Sequence, residues 1–371
     1  WLAIRSFSVG WYAYWYLGVP FRYLTGPIVP LILFTIRKIL PNVSLFDISI
    51  YLVFLSFLIG AFGWGKLATY ISKKRGVGLI ISVLFILFPW KYLSSIAISE
   101  ASLVISKNFL PWALISFWHH FENQNNKSLY LAVLVCVVLF LINTSALPIL
   151  LVGLSASVLS ISFSQGKFKK LSKYIKKTLK VVLFSLLLVT IWYTPGYWLT
   201  SVLNPSIGGA AGYKVFLRII DLLRAALPLA FAVAAVYFSG KVKNRLMVFS
   251  LTWVFTFLFL TAFRFIGDPD FWQDWSAWFF ELETGVALAS ALPLAGFIQK
   301  LKKEKVDVLY SSKIYYVVLL ILVIPFFITK YIYSVLDRPK LISKEPPKGV
   351  MSLSVLSDIA KDDRVFLSGS T

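Results

Sequence analysis

Apolar runs about as long as a bilayer is thick set the first limit on this chain. Leu179–Leu199 and Leu246–Ile266 each approach the roughly 20 residues that a helix needs to cross a hydrocarbon core. Only 14% of the 371 residues are charged and 58% are hydrophobic, too little charge to cover a soluble protein of this size. The mean hydropathy of +0.79 agrees: lipid is the solvent for most of the chain. The single Cys136 lies inside the apolar run Tyr130–Ile142, which excludes an internal disulfide and reads as inert packing.

Marking the apolar runs and their breakers gives about ten spans, near 45–70, 77–93, 107–121, 129–143, 146–163, 179–199, 222–239, 246–265, 282–298 and 314–336. The expected fold class is therefore an all-α polytopic integral membrane protein. Interfacial helices are expected on its outer face, and the start of an extracytoplasmic α/β or β domain at the C-terminus. The expected division is an aromatic outer loop with an interfacial helix at 1–44, a transmembrane helical domain at 45–336, and the beginning of a soluble domain at 337–371. The chain opens at Trp1 with no methionine or leader and stops at DDRVFLSGST, so we expect it to be cut at both ends.

The net charge of +21 points to a membrane surface and not to nucleic acid, because the cations fall in short loops between spans. One alternating set of loops holds nineteen basic residues, among them Lys73, Lys74, Arg75, Lys127, Lys173, Arg245 and Lys300, against the acids Glu122, Glu304 and Asp307. By the positive-inside rule that set is cytoplasmic and the other set, with both chain ends, faces outward. The predicted location is a multi-pass cell membrane protein with an extracytoplasmic tail.

Polar chemistry gathers at the predicted outer surface. The stretch GDPDFWQDWSAWFFELE, 267–283, carries Asp268, Asp270, Asp274, Glu281 and Glu283, interleaved with Trp272, Trp275 and Trp278. Tryptophans suit an interfacial belt, and outward acids escape the positive-inside bias. The density of carboxylates is what remains: Asp268, Asp270 and Asp274 could position an acceptor or hold a hard divalent cation such as Mg or Mn. Glu281 and Glu283 enter the next span, where burial would raise their pKa towards that of a useful base.

The first 44 residues crowd Trp11, Tyr12, Tyr14, Trp15, Tyr16, Phe21 and Tyr23 around Gly18, Pro20, Gly26, Pro27 and Pro30, which break any long span. An aromatic belt accounts for them; aromatic faces for a sugar ring, with Arg22 gripping a phosphate, are the sharper reading. The run 31–40 is too short to cross and carries Arg37 and Lys38, so an interfacial helix is expected there. Lys91, after Phe-Pro-Trp, reads as a snorkelling anchor or a ligand. Glu100 stands in 96–109, a segment compatible with a surface helix, where its charge has no evident reason. Arg264 lies close to where a lipid phosphate would sit, and 215–228 is amphipathic, with Arg218, Asp221 and Arg224 on one face.

Charges such as Asp47, Lys66, Glu283 and Lys330 fall near span ends, where they can snorkel, and the span centres are almost free of charge. That layout disfavours a transporter. Phosphate loops, His/Cys metal spacings and nucleophile elbows are absent, and the adjacent His119 and His120 read as solvated loop residues. The sequons at Asn42 and Asn143 are of a kind common by chance.

Aromatic residues before GVPFRYLTGPIVP, a short interfacial helix and many spans with small outer loops resemble the GT-C superfamily of polytopic glycosyltransferases. More closely they resemble the prokaryotic 6-pyruvoyl-tetrahydropterin-synthase-related membrane proteins, a label that implies no pterin chemistry. Gly18, Pro20, Phe21, Tyr23 and Pro27 match the first outer loop of that branch. The resemblance implies sugar transfer from a polyprenyl-phosphate donor to a glycan, lipid or protein acceptor in the bilayer setting. A carboxylate (Asp268, Asp270 or Glu283) would deprotonate the acceptor. Arg22, Tyr23, Trp15, Lys91, Glu100, Arg264, Trp272 and Asp274 would bind the substrates. GT-C enzymes carry an Asp in the first outer loop. Trp1–Ser44 has neither Asp nor Glu, so the expectation is either that this residue and the first span lie upstream of Trp1 or that this branch does something else, the first being preferred. The alternative expectation is a non-catalytic flippase, scaffold or assembly partner in envelope polysaccharide or glycolipid biogenesis.

Overall fold

A computed structural model describes residues 11–12, 19–20, 26–88, 91–92, 95, 100–123, 125–164, 171–203, 244–266 and 275–303. All lie in the first of two compact units, Trp1–Leu319; the second, Leu320–Thr371, lies outside the described residues, as do the expected spans at 222–239 and 314–336 and the amphipathic stretch 215–228.

The described residues are mostly helical, as the apolar runs require. In order they form α1 (Ile28–Ile39), α2 (Leu45–Ser72), α3 (Arg75–Leu87), α4 (Ala101–Asn123), α5 (Asn126–Ile142), α6 (Ala146–Ser164), α7 (Leu171–Val189), α8 (Pro195–Leu203), α9 (Arg245–Ile266) and α10 (Trp275–Lys303). A two-residue antiparallel ladder sets Trp11 opposite Pro20 and Tyr12 opposite Val19. Among the described residues, α2 alone is long and apolar enough by itself to cross a membrane, with mean hydropathy 2.2; α3, α5, α6 and α9 contain shorter apolar helices.

Helix α2 packs against both α3 and α4, α9 lies against α6 and α10, and α10 also touches α3. The core they share is built from Trp64, Phe85, Phe117, Trp118, Trp253 and Phe257. Small residues permit the closest approach: a Cβ on Gly78 of α3 would come 2.4 Å from the Gly65 carbonyl oxygen of α2. At α2's start Ser44 caps the helix, its Oγ accepting from the Asp47 N–H at 3.1 Å. Asp47 is thus held by its cap.

Several boundaries differ from the sequence reading for local reasons. The expected span at 179–199 is instead α7, whose lysine-bearing first turns extend it back to Leu171, followed by the separate α8. The break falls before Pro195, which disfavours helical backbone at Thr194 and suits the first turn of a new helix. Helix α3 stops at Leu87, just before the Phe-Pro pair. Helix α1 covers the expected interfacial segment: Arg37 and Lys38 lie in its last turn, and Val29 and Leu33 pack with Ile48 and Ile142. Gly26 precedes it, so close to the end of α5 that a Cβ would stand 2.0 Å from the Leu141 carbonyl oxygen.

The two ends of the bundle differ in charge. At one, Glu122 receives Lys73 at 3.7 Å, Arg245 at 3.9 Å and the Tyr70 hydroxyl at 2.5 Å. His119 and His120 belong to α4 there and not to a loop; His120 is buried, its Nδ1 3.1 Å from Ser128 Oγ. The opposite end, where α3 finishes and α4, α6 and α10 begin, carries the candidate site.

Candidate functional site

Four ionisable side chains are sunk into that end as two opposite pairs. Lys91 follows α3 and is 0% exposed; its Nζ lies 3.9 Å from Glu283 Oε2, and its backbone N–H donates to the same oxygen at 2.5 Å. Lys107 of α4 is 1% exposed, with Nζ 3.1 Å from Glu281 Oε1 and donating to Oε2 at 3.2 Å. Both glutamates are 2% exposed and belong to α10. Residues two apart on a helix diverge by about 200°, so one helix can meet two lysines on different sides.

Aromatic rings close the cage. The Lys91 ammonium sits 4.1 Å from the Phe85 ring centre, 5.7 Å from Phe88 and 6.0 Å from Tyr92, and Lys107 is 5.2 Å from Phe280. Such faces attract a desolvated cation. The Glu281 carbonyl oxygen accepts from Trp253 Nε1 at 2.7 Å. This polar core is therefore anchored to α9.

Three expectations are corrected here. Glu283 lies near the start of α10 but does not snorkel: it is met by Lys91, just as Glu281 is met by Lys107, and the lysine replaces water as the partner. Lys91 is not a snorkelling anchor, since its ammonium points into protein. Residues 96–109 do not form one surface helix. From Ala101 onward they are the opening turns of α4, with Ser102, Ser106, Lys107 and Asn108 buried.

Glu100, immediately before α4, organises a second polar group. Its Oε1 accepts from Asn143 Nδ2 at 2.6 Å and from Ser102 Oγ at 3.0 Å. Asn143 is the C-cap of α5 and is itself held, its Oδ1 accepting from the Ser145 N–H at 2.8 Å. The amide is thus a buried structural group and not an open glycosylation acceptor. Thr144 shares a 3.0 Å hydrogen bond with the Tyr197 hydroxyl of α8. Glu100 stands within electrostatic reach of Lys107. It also acts electrostatically on Tyr193. The two groups form one polar region.

Of the expected site residues, the structure brings together Lys91 and Glu283, with Glu100 beside the Lys107–Glu281 pair. Arg264 lies in the last turns of α9, the helix that leads to the 267–274 connection. Trp15, Arg22, Tyr23, Asp268, Asp270, Trp272 and Asp274 lie outside the described residues. Among the described residues no three His, Cys, Asp or Glu side chains stand together as a metal site. Sequence reasoning missed Lys107 and Glu281 as partners, along with Asn143, Tyr193 and Tyr197. The signal for the first two was present: opposite charges inside two otherwise apolar helices.

No curated protein and no solved structure matches the chain. Residues 21–327 match the family described as 6-pyruvoyl-tetrahydropterin synthase related domain, membrane protein. That match covers most of the 371 residues and agrees with the apolar helices and the composition. The chain belongs to this family of membrane proteins.

Proposed function

We propose that the chain is a multi-pass membrane glycosyltransferase moving a sugar from a polyprenyl-phosphate donor to an envelope acceptor at the outer face. The observation that carries this reading is the buried double pair Lys91–Glu283 and Lys107–Glu281 beside Glu100, at the end where the α9–α10 connection holds Asp268, Asp270 and Asp274. A bilayer protein bears the cost of such charges where chemistry on a polar ligand is done.

In the proposed reaction the acceptor oxygen attacks the sugar's anomeric carbon and a glycosidic bond forms. The bond from that carbon to the phosphate oxygen breaks, and its electron pair leaves on the phosphate. The acceptor proton passes to a carboxylate, Asp268 or Asp270. Arg22 and Arg264 offset the charge gathering on the phosphate. Trp15, Tyr23 and Trp272 supply faces for sugar and prenyl chain. Asp274, with Asp268 and Asp270, would hold a divalent cation, Mg or Mn, if the reaction uses one. Glu283 is engaged by Lys91, so in this scheme it fixes that ammonium beneath the site and does not take the proton.

The test is to incubate the purified full-length protein with polyprenyl-phosphate sugars and follow sugar transfer and release of free lipid phosphate. Loss of turnover in Asp268→Asn and Arg22→Ala is expected; unchanged turnover in both sinks these assignments. The buried pairs also fit the alternative of a flippase or assembly partner, since charges inside helices mark polar paths as well as active sites. Movement of a labelled lipid-linked sugar across proteoliposomes, with no transfer, would establish that alternative.

A further inference from the structure

The connections at the candidate end do more than join helices. Glu100, Asn143, Thr144, Tyr193, Tyr197 and Trp198 come from three separate segments and converge there. Glu100 is exposed, and both hydrogen bonds made to it fall on Oε1; its Oε2 receives none from the described residues. The Tyr193 side chain is only 2% exposed, but its hydroxyl, which makes no hydrogen bond among the described residues, is not sealed from the surface, and Glu100 acts on it electrostatically. Beside it the rings of Tyr193 and Tyr197 lie 4.6 Å apart, and those of Tyr197 and Trp198 5.0 Å apart at 77°. Tyr197 and Trp198 are only half-buried, so faces remain for a ligand.

This combination has a specific chemical reading. A carboxylate oxygen with spare lone pairs accepts from vicinal hydroxyls. A phenol hydroxyl that reaches the surface without a protein partner can exchange water for a ligand hydroxyl. Aromatic faces cover the C–H face of a sugar ring. A pyranose offers all three at once. Asn143 and Ser102 fix the carboxylate in advance, so little ordering remains to be lost on binding.

We propose that Glu100, Tyr193, Tyr197 and Trp198, held by Asn143 and Thr144, form a binding subsite for an uncharged pyranose. This inference rests on the sugar-transfer reading and names where a sugar is held. Trimethylammonium ligands also fit a carboxylate among aromatic faces. The mixture of hydroxyl and amide groups favours the polyol.

Saturation-transfer NMR on the full-length protein in detergent tests this without any turnover, using methyl glucopyranoside, galactopyranoside and mannopyranoside, with choline as the rival probe. At least one pyranoside is expected to receive saturation at its ring protons. Glu100→Gln and Trp198→Ala should weaken that binding about tenfold, the scale of one lost charged hydrogen bond or one lost ring contact. Tyr193→Phe keeps the ring and the packing and should weaken binding severalfold, which covers the case in which the other variants fold poorly. Lys73→Ala, at the opposite end, should leave it unchanged. No saturation of any pyranoside in wild type, equal binding in Glu100→Gln and Tyr193→Phe, or competition by choline alone would each overturn the subsite. Sugar binding without transfer would leave the subsite standing and remove the transferase reading. Transfer with binding untouched by these variants would do the reverse.

Discussion

Replacing Lys107 with methionine removes one ammonium and keeps most of the side chain's volume, so the change isolates charge from packing. In the native protein Nζ lies 3.1 Å from Glu281 Oε1, and both side chains are almost fully enclosed. At an effective dielectric constant near 20, that attraction is about 5 kcal/mol. Removing both ions from water offsets most of it, so the intact pair contributes little net stability. Stranding the Glu281 carboxylate is another matter and costs about 3–5 kcal/mol. Glu281→Leu, which strands the ammonium, should cost a similar amount. The double variant Lys107→Met/Glu281→Leu leaves no charge behind and should cost only about 1 kcal/mol, giving a coupling of about 5 kcal/mol or more. SDS-induced unfolding of the detergent-solubilised protein, followed by circular dichroism, measures all four corners of the cycle. Two single losses below about 1 kcal/mol that simply add would refute the reasoning, because they would mean that water reaches the pair.

Gly26→Ala should destabilise the protein markedly, because its Cβ would lie 2.0 Å from a backbone oxygen that cannot yield, whereas Gly296→Ala meets nothing within 4 Å and should be neutral or slightly stabilising. The contrast is read by the melting of the two variants side by side. Cys136 is fully buried in α5, so a maleimide should label it only after denaturation in SDS; labelling of the folded protein would show that the α5 packing is wrong.

Helical character and the position of most elements were legible because apolar runs and Pro or Gly breakers act locally. Leu45, Ala146 and Arg245 begin helices within a residue or so of where the pattern placed them. What the sequence hid depends on contacts between distant segments. Lys107 looked like a boundary because a charge in an apolar helix suggests water; only the arrival of Glu281 on α10 makes its burial tolerable. The same holds for Asn143, which reads locally as a sequon and is in fact a cap that reaches across to Glu100. Lys91 and Glu283 were singled out separately, and nothing in one sequence could show that they are each other's partners. Of the acids at 268–283, Glu281 and Glu283 fall in the early turns of α10 and meet the two lysines, while Asp268, Asp270 and Asp274 lie outside the described residues.

The separation of these partners along the chain also has a consequence for biosynthesis. Lys91 and Glu283 are 192 residues apart, and Lys107 and Glu281 are 174 apart. At translation rates of about 5–20 residues per second, both lysines leave the ribosome roughly 10 to 40 s before their glutamates exist. Until then each ammonium lacks the carboxylate that stands beside it in the folded protein, and a lysine kept from water without a partner is costly. The start of α4 therefore reaches its buried position only once α10 has followed, which makes this late helix the one that locks the early half of the protein in place.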